Sequence, residues 1–378
     1  MKYPNVCALI FSLAILVCMP QTATSSLPGS NQNTAAAPFT QDFPIQDEAS
    51  FKANTTLFHQ APFKNPKYEF DIMLPKDWTS ESIAKPADQS LKQDIPEMIA
   101  RFKSPMIGTA QALITVQVQH LRYEISAENW LRNYVITNGY SLQEKVTALG
   151  NKKVGMAYVS VFEAKSTYGY TTAQINGDTV IMVTFEIPLY LKEQMAVLQK
   201  YAVESFRLTL VNDNPVEKQK EYNLSDALKF TYPESWVVHY PDFKDLNNMS
   251  VQLHNETSAR KIYGLIRFMA IHRNRQTSLA QEMTRIRKYF DEFLGLEVAG
   301  LVSSETPSLH NRFMFSRYEV YQVEAKKKNV SKQEIRLAVL GDQDWYIIVF
   351  LLTPRETDNM YVWARNTRTF DMILQSMK

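Results

Sequence analysis

Tyr68–Trp78 reads YEFDIMLPKDW and Leu228–Trp236 reads LKFTYPESW. In both, alternating apolar residues, the period of a strand with one face buried, run into a proline followed three positions later by tryptophan. The prolines Pro75 and Pro233 are 158 residues apart, and so are Trp78 and Trp236. Proline cannot donate a ladder hydrogen bond, so it ends each strand. A repeat this long, with one copy in each half, implies two whole copies of one fold, because a solenoid repeats every 20–50 residues or so.

Further landmarks recur at a similar offset. Leu113–His120 (LITVQVQH) and Leu265–His272 (LIRFMAIH) alternate as strands and lie 152 residues apart, as do Ser126 and Ser278, the expected helix N-caps after them. Ser278 and Gln281 form an S-x-x-Q capping box, and Leu279, Met283, Ile286, Phe290 and Phe293 follow at helical spacing until Gly295. The first-half counterpart is predicted over Ala127–Asn138. Two hairpins are expected, one turning at Asn176-Gly177 and one at Gly341-Asp342, followed by Pro188 and Pro354. Helices over Leu191–Phe206 and Asn359–Met377 close the halves with Val203-Glu204-Ser205-Phe206 and Leu374-Gln375-Ser376-Met377. The predicted class is α+β, with two tandem α/β/α sandwiches that each cover a mostly antiparallel sheet with helices.

The N-terminus is of a different kind. Met1–Ser26 has Lys2 as its sole charge, then an apolar stretch from Val6 to Met19 and a small polar run. That is the layout of a secretory signal peptide cleaved after Ala23 or Ser25. A membrane anchor needs about 20 consecutive apolar residues, more than this stretch offers. Val17 stands before Cys18 where a lipobox places a small residue, so a lipoprotein is not expected. Both cysteines, Cys7 and Cys18, lie in the leader, and the mature chain must fold without disulfides. These features point to a periplasmic protein. The expected organisation is signal peptide 1–26, flexible tether 27–64, first domain 65–211, linker 212–221 and second domain 222–378.

Composition narrows the function. The chain has 41 basic and 39 acidic residues, so its near-neutral balance argues against nucleic-acid binding, for which a strongly basic face is expected. None of the six histidines forms H-E-x-x-H or an i, i+4 pair, so local spacing supports no metal site. His120 and His272 end matching strands and suit a structural role there. No nucleophile motif, Walker A or dinucleotide fingerprint occurs, and no cofactor is expected. The clearest surface signal lies between His254 and Lys288, where eight basic residues face two acidic ones. Arg273, Arg275, Arg285, Arg287 and Lys288 are the candidate partner-binding residues, a docking face for an acidic protein or an anionic envelope component. A solvated helix surface is the plainer alternative.

The strand ending in Pro before Trp, the late hairpin and the final apolar-x-Ser-apolar signature resemble the PsbP-like α/β/α fold, to which the envelope protein DcrB and a Ran-binding import factor also belong. The resemblance spans about 145 residues of each half. It implies a non-enzymatic interaction module, because most characterised members bind protein partners. The expectation is therefore a non-catalytic periplasmic accessory protein binding other proteins of an envelope complex, such as a secretion apparatus. The alternatives are a periplasmic small-ligand or lipid carrier, consistent with 15 methionines and many aromatics, and a hydrolase without a recognisable nucleophile.

Overall fold

The computed structural model describes residues 45–378 except 82, 85–94, 150, 151, 164, 258, 260, 275–277, 308 and 326–331. The expected signal peptide and the first part of the expected tether lie outside these residues. The first half begins with α1 (Glu48–Asn54), β1 (Thr55–Gln60), β2 (Phe70–Pro75), β3 (Thr79–Glu81), β4 (Glu97–Lys103), β5 (Leu113–His120) and α2 (Ala127–Thr137). It continues with β6 (Ser141–Leu142), β7 (Thr147–Ala148), β8 (Lys153–Phe162), β9 (Lys165–Asn176), β10 (Thr179–Pro188), α3 (Lys192–Ser205) and β11 (Arg207–Leu208). The second half runs β12 (Gln219–Leu224), β13 (Leu228–Pro233), β14 (Trp236–Asp245), β15 (Asn248–Glu256), β16 (Ile262–His272) and α4 (Leu279–Glu292). It ends with β17 (Leu296–Glu305), β18 (Phe315–Ala325), β19 (Gln333–Gly341), β20 (Trp345–Pro354) and α5 (Met360–Ser376).

The chain is α+β with antiparallel pairing throughout the strands described. The larger sheet of the first half has the order β3-β4-β5-β10-β9-β8-β6, and that of the second has β14-β15-β16-β20-β19-β18-β17. Their central strands β10 and β20 are buried on both faces, so both faces carry apolar residues rather than one alone. In β10, Ile181, Val183 and Phe185 join the core under α3, while Val180 and Met182 join the core under α2. In β20, Ile347, Val349 and Leu351 face α5, while Ile348 and Phe350 face α4.

The helix-end signature has a physical role in both halves. Ser205 Oγ accepts the N–H of Met73 at 2.9 Å, and Ser376 Oγ accepts that of Thr231 at 2.9 Å. Each serine also donates to its own helix, to the carbonyls of Ala202 and Ile373. The chain then pairs with the same strand, Arg207 opposite Asp71 in one half and Lys229 exchanging backbone bonds with Lys378 in the other. Phe206 and Met377, the final apolar residues of the two signatures, are buried. The last helix is thus fastened to the opening hairpin.

Several expectations need correction. Residues 45–64, expected as flexible tether, are folded: α1 has an Asp47–Ser50 capping box, Ile45 and Phe51 are buried, and β1 pairs with β2 along its length. The alternation in Thr55–Gln60 is weak because the strand is a half-exposed edge. The expected linker is structured as well, since β12 begins at Gln219 and pairs with β13. The first late hairpin turns at Gly177-Asp178, one residue beyond Asn176-Gly177, because Asn176 pairs with Thr179 and Gly177 takes φ +62°. Glycine at the first central position is the type II′ arrangement.

The halves share one compact unit, Phe43–Lys378. Trp363 sits with Ala364 in the core that α2 covers in the first half. Its indole N–H donates to Glu334 at 3.1 Å, and the Arg336 guanidinium lies over its ring. Glu124 and Glu217 lock the seam reciprocally: each carboxylate accepts the other's backbone N–H, at 2.9 and 3.2 Å. Glu217 also accepts from the N–H of Ser235. Arg132 and Glu356 form an ion pair across the seam at 2.5 Å. The tryptophans at the repeated motif, Trp78 and Trp236, are buried as their pattern predicts, and so is Trp345.

Candidate functional site

The basic residues singled out in the sequence cluster around α4, though most already have partners. Ser278 caps the helix, accepting from Gln281 N–H at 3.3 Å while Gln281 accepts from Ser278 N–H at 2.8 Å. Ile286 and Phe290 bury its inner face, which leaves Arg285, Arg287 and Lys288 outside. Arg285 pairs with the buried Glu282 at 2.5 Å, Lys288 with Glu292 at 3.5 Å, and Arg287 hydrogen-bonds Tyr321. Arg273 donates to the carbonyl of Asp342 at 2.8 Å and stacks on Tyr346, so it closes the β19–β20 hairpin. Arg275 lies outside the described residues. The structure therefore brings Arg285, Arg287 and Lys288 onto one helix and places Arg273 in a turn. A groove of about 430 Å³ runs between α4 and the sheet, bounded by Arg267, Arg285, Lys288, Tyr289, Glu292 and Phe293.

Beyond α4 the chain turns at Gly295, whose φ of +63° suits glycine, and enters β17. This strand ends the sheet and is exposed over nearly all its length. Val298, Leu301 and Val302 present apolar side chains to solvent, and Phe293, at the helix end, is 77% exposed. Two register shifts, at Val298/Gly300 and Leu301/Ser303, interrupt its pairing with β18. The corresponding edge of the first half is short, made among the described residues of the two-residue strands β6 and β7 against β8.

At the opposite edge of the second sheet, three residues of metal-ligand type meet. His254 and Glu256 stand two apart on β15, hence on one face, and His239 comes from β14, paired with Gln252. The His239 and His254 rings stack at 4.4 Å, His239 Nε2 is 3.3 Å from Glu256 Oε1, and His254 Nδ1 is 3.8 Å from Glu256 Oε2. His254 Nε2 lies 3.0 Å from Gln252 Oε1. Burial, reinforced by His239 and opposed by Glu256, holds the His254 pKa below the ordinary histidine value, so its imidazole is neutral near pH 7. Local spacing in the sequence did not reveal this group, because two strands supply it. The signal that could have found it is His254-x-Glu256 on an alternating strand. Tyr240, in β14, is exposed and at φ +49° beside the bulge that follows His239.

His120 and His272 take local roles. His120 lies 3.7 Å from Asp178 at the hairpin turn. His272 packs edge-on against Trp345, and its Nδ1 accepts from Asn274 N–H. Asp342 is a turn residue, accepting from the N–H groups of Asp344 and Trp345 and pairing with Arg312. No helix among the described residues is long and apolar enough to cross a membrane.

No family model matches the chain, and no curated protein does. Among solved structures, it is similar to the Saccharomyces cerevisiae Ran-binding protein Mog1p at 12% identity and TM-score 0.30, covering 43% of this chain and 95% of that one. It is similar to cyanobacterial PsbP (CyanoP) from Synechocystis at 11% identity and TM-score 0.26, covering 40% and 92%. It is also similar to the immunity protein TplEi of the T6SS from Pseudomonas aeruginosa at 13% identity and TM-score 0.21, covering 86% and 96%. At TM-scores of 0.30 and below, these likenesses carry no argument about this chain.

Proposed function

We propose that this chain is an exported, non-catalytic interaction protein of the cell envelope. On this reading, two PsbP-like copies in tandem form a single platform within a multiprotein assembly such as a secretion apparatus. The leader-like N-terminal sequence supports export, and the matching order of strands and helices supports the tandem reading. The observation that carries the binding role is β17. A long edge strand that exposes backbone donors and acceptors together with apolar side chains templates association, and proteins normally blunt such edges by shortening or charging them. The first half follows that rule at β6 and β7, whereas the second keeps the ten residues Leu296–Glu305 at its edge, bent at two register shifts but with Val298, Leu301 and Val302 outward. Keeping such a surface suits a protein partner, which could add a strand or cover the apolar patch. The cations of α4 lie beside it and favour an acidic partner through encounter rate more than through affinity.

The test compares the wild-type chain with Leu301→Lys/Val302→Lys after cross-linking in native envelopes. The expected result is a defined partner cross-linked by the wild type and lost by the edge variant, with the melting curve unchanged. A wild type that sediments alone, or a variant that retains the same partner, would overturn the proposal.

A further inference from the structure

We propose that His239, His254 and Glu256 form a binding site for a first-row divalent cation of the zinc class. Two imidazole nitrogens and one carboxylate make up a donor set characteristic of three-ligand zinc sites that leave a fourth position open. All three donor atoms lie within 4.8 Å of one another. A tetrahedral ion with bonds of about 2.1 Å asks for donors about 3.4 Å apart, so the widest pair must close by up to about 1.4 Å, while His239 and Glu256 already stand 3.3 Å apart. His239 and Glu256 are only partly buried and can turn about their side-chain bonds, while His254 is fixed in the sheet.

The hydrogen bonding leaves room for a cation. The contact of His254 Nε2 with Gln252 Oε1 is satisfied when Nε2 carries the proton, which leaves the Nδ1 lone pair toward Glu256. At 3.8 Å, that nitrogen and the carboxylate oxygen are too far apart for a good hydrogen bond, but a metal ion fits between two such acceptors. Gln252 then serves as the outer partner that orients a ligating histidine through its other nitrogen. Tyr240 flanks both imidazoles, 5.5 Å from the His239 ring and 6.0 Å from that of His254, and its exposure places the open position at the surface.

The first half provides an internal contrast. In its sheet Lys103 pairs with Thr79 and Leu113, as His254 pairs with Val237 and Leu265 in the second. There Glu81 is neutralised by Lys103 at 3.0 Å and Arg101 at 3.4 Å. In the second half His254 takes the place of Lys103, Gln252 that of Arg101 and His239 that of Glu81, and a neutral imidazole can donate a lone pair to a metal.

The proposal is tested on the full mature chain, without a histidine tag and stripped with chelator. Calorimetric titration with zinc sulfate should show one saturable site, magnesium should give no binding, and copper(II) should give an electron paramagnetic resonance signal with two coordinated nitrogens. His239→Ala and Glu256→Gln should each weaken zinc binding at least about tenfold. His254→Ala should abolish it, and because His254 is buried the two less buried variants keep the test valid if that variant unfolds. Absence of a saturable zinc site in the wild type, or equal zinc affinity in His239→Ala and Glu256→Gln, would overturn the assignment.

Discussion

The two halves agree where the last helix meets the opening hairpin and differ along the edges of their sheets. Ser205 and Ser376 make the same bond to a hairpin strand, and Trp78 and Trp236 close their cores at the same turn. At one sheet edge, the Glu81–Lys103–Arg101 ion pairs of the first half stand where the second has His239, His254 and Gln252, with Glu256 beside them. At the other edge, two-residue strands correspond to the ten-residue β17. Interior contacts are constrained because a lost methylene or an unpaired buried group costs stability at once. Edge residues are free of that constraint and can take up binding. The second half has the more distinctive edges, and both proposed sites lie there.

The largest expected effect tests the shared interior. Trp78→Ala and Trp236→Ala should each destabilise the protein by about 3–5 kcal/mol, since both rings are buried and Trp78 packs edge-on against Phe185 at 5.2 Å. Chemical denaturation followed by circular dichroism checks this. A tolerated substitution in one half alone would show that the motif has different roles in the two.

A smaller effect is expected at the serine locks. Ser205→Ala and Ser376→Ala each leave the N–H of Met73 or Thr231 without its partner, and each should cost about 1–3 kcal/mol. Hydrogen exchange at those two amides should speed up first. Equal protection in variant and wild type would mean that the backbone pairing beside each serine suffices.

The smallest effect concerns the seam and depends on pH. Burial, added to by the charge of Glu217, raises the Glu124 carboxyl above its ordinary value, against the pull of backbone N–H groups and Arg368. The native state therefore holds this proton more tightly than the unfolded chain does. Its contribution is fully present below the ordinary carboxyl range and is lost as pH rises through the raised native value. Glu124→Gln should flatten that slope with a change of about 1 kcal/mol or less at neutral pH. Melting temperatures recorded from pH 4 to 8, about the range of carboxyl and imidazole titration, test this, and identical slopes in variant and wild type would remove Glu124 as the cause.

The basic face shows how much of a site a sequence can reveal. Counting charges placed Arg285, Arg287 and Lys288 on one helix, but their partners come from folding. Because Arg285 holds the buried Glu282, it is part of the scaffold as well as the surface. Arg273 is turned inward to backbone carbonyls, which no charge count conveys.

The sequence alone determined the alternating strands and amphipathic helices of each half, the N-caps at Ser126 and Ser278 and the repeated Pro-to-Trp motif, and placed both late hairpins to within a residue or so, because these depend on local periodicity, backbone restriction and capping within a few residues. Tertiary structure decided the rest. Residues 45–64 fold because β2 offers an edge for β1, Trp363 crosses to the other half's core, and Glu124 meets Glu217 across 93 residues. The same holds for His239, 15 or more positions from His254 and Glu256 yet within 4.8 Å of both through strand pairing. Such contacts depend on register between distant strands, which sequence spacing along one strand does not encode.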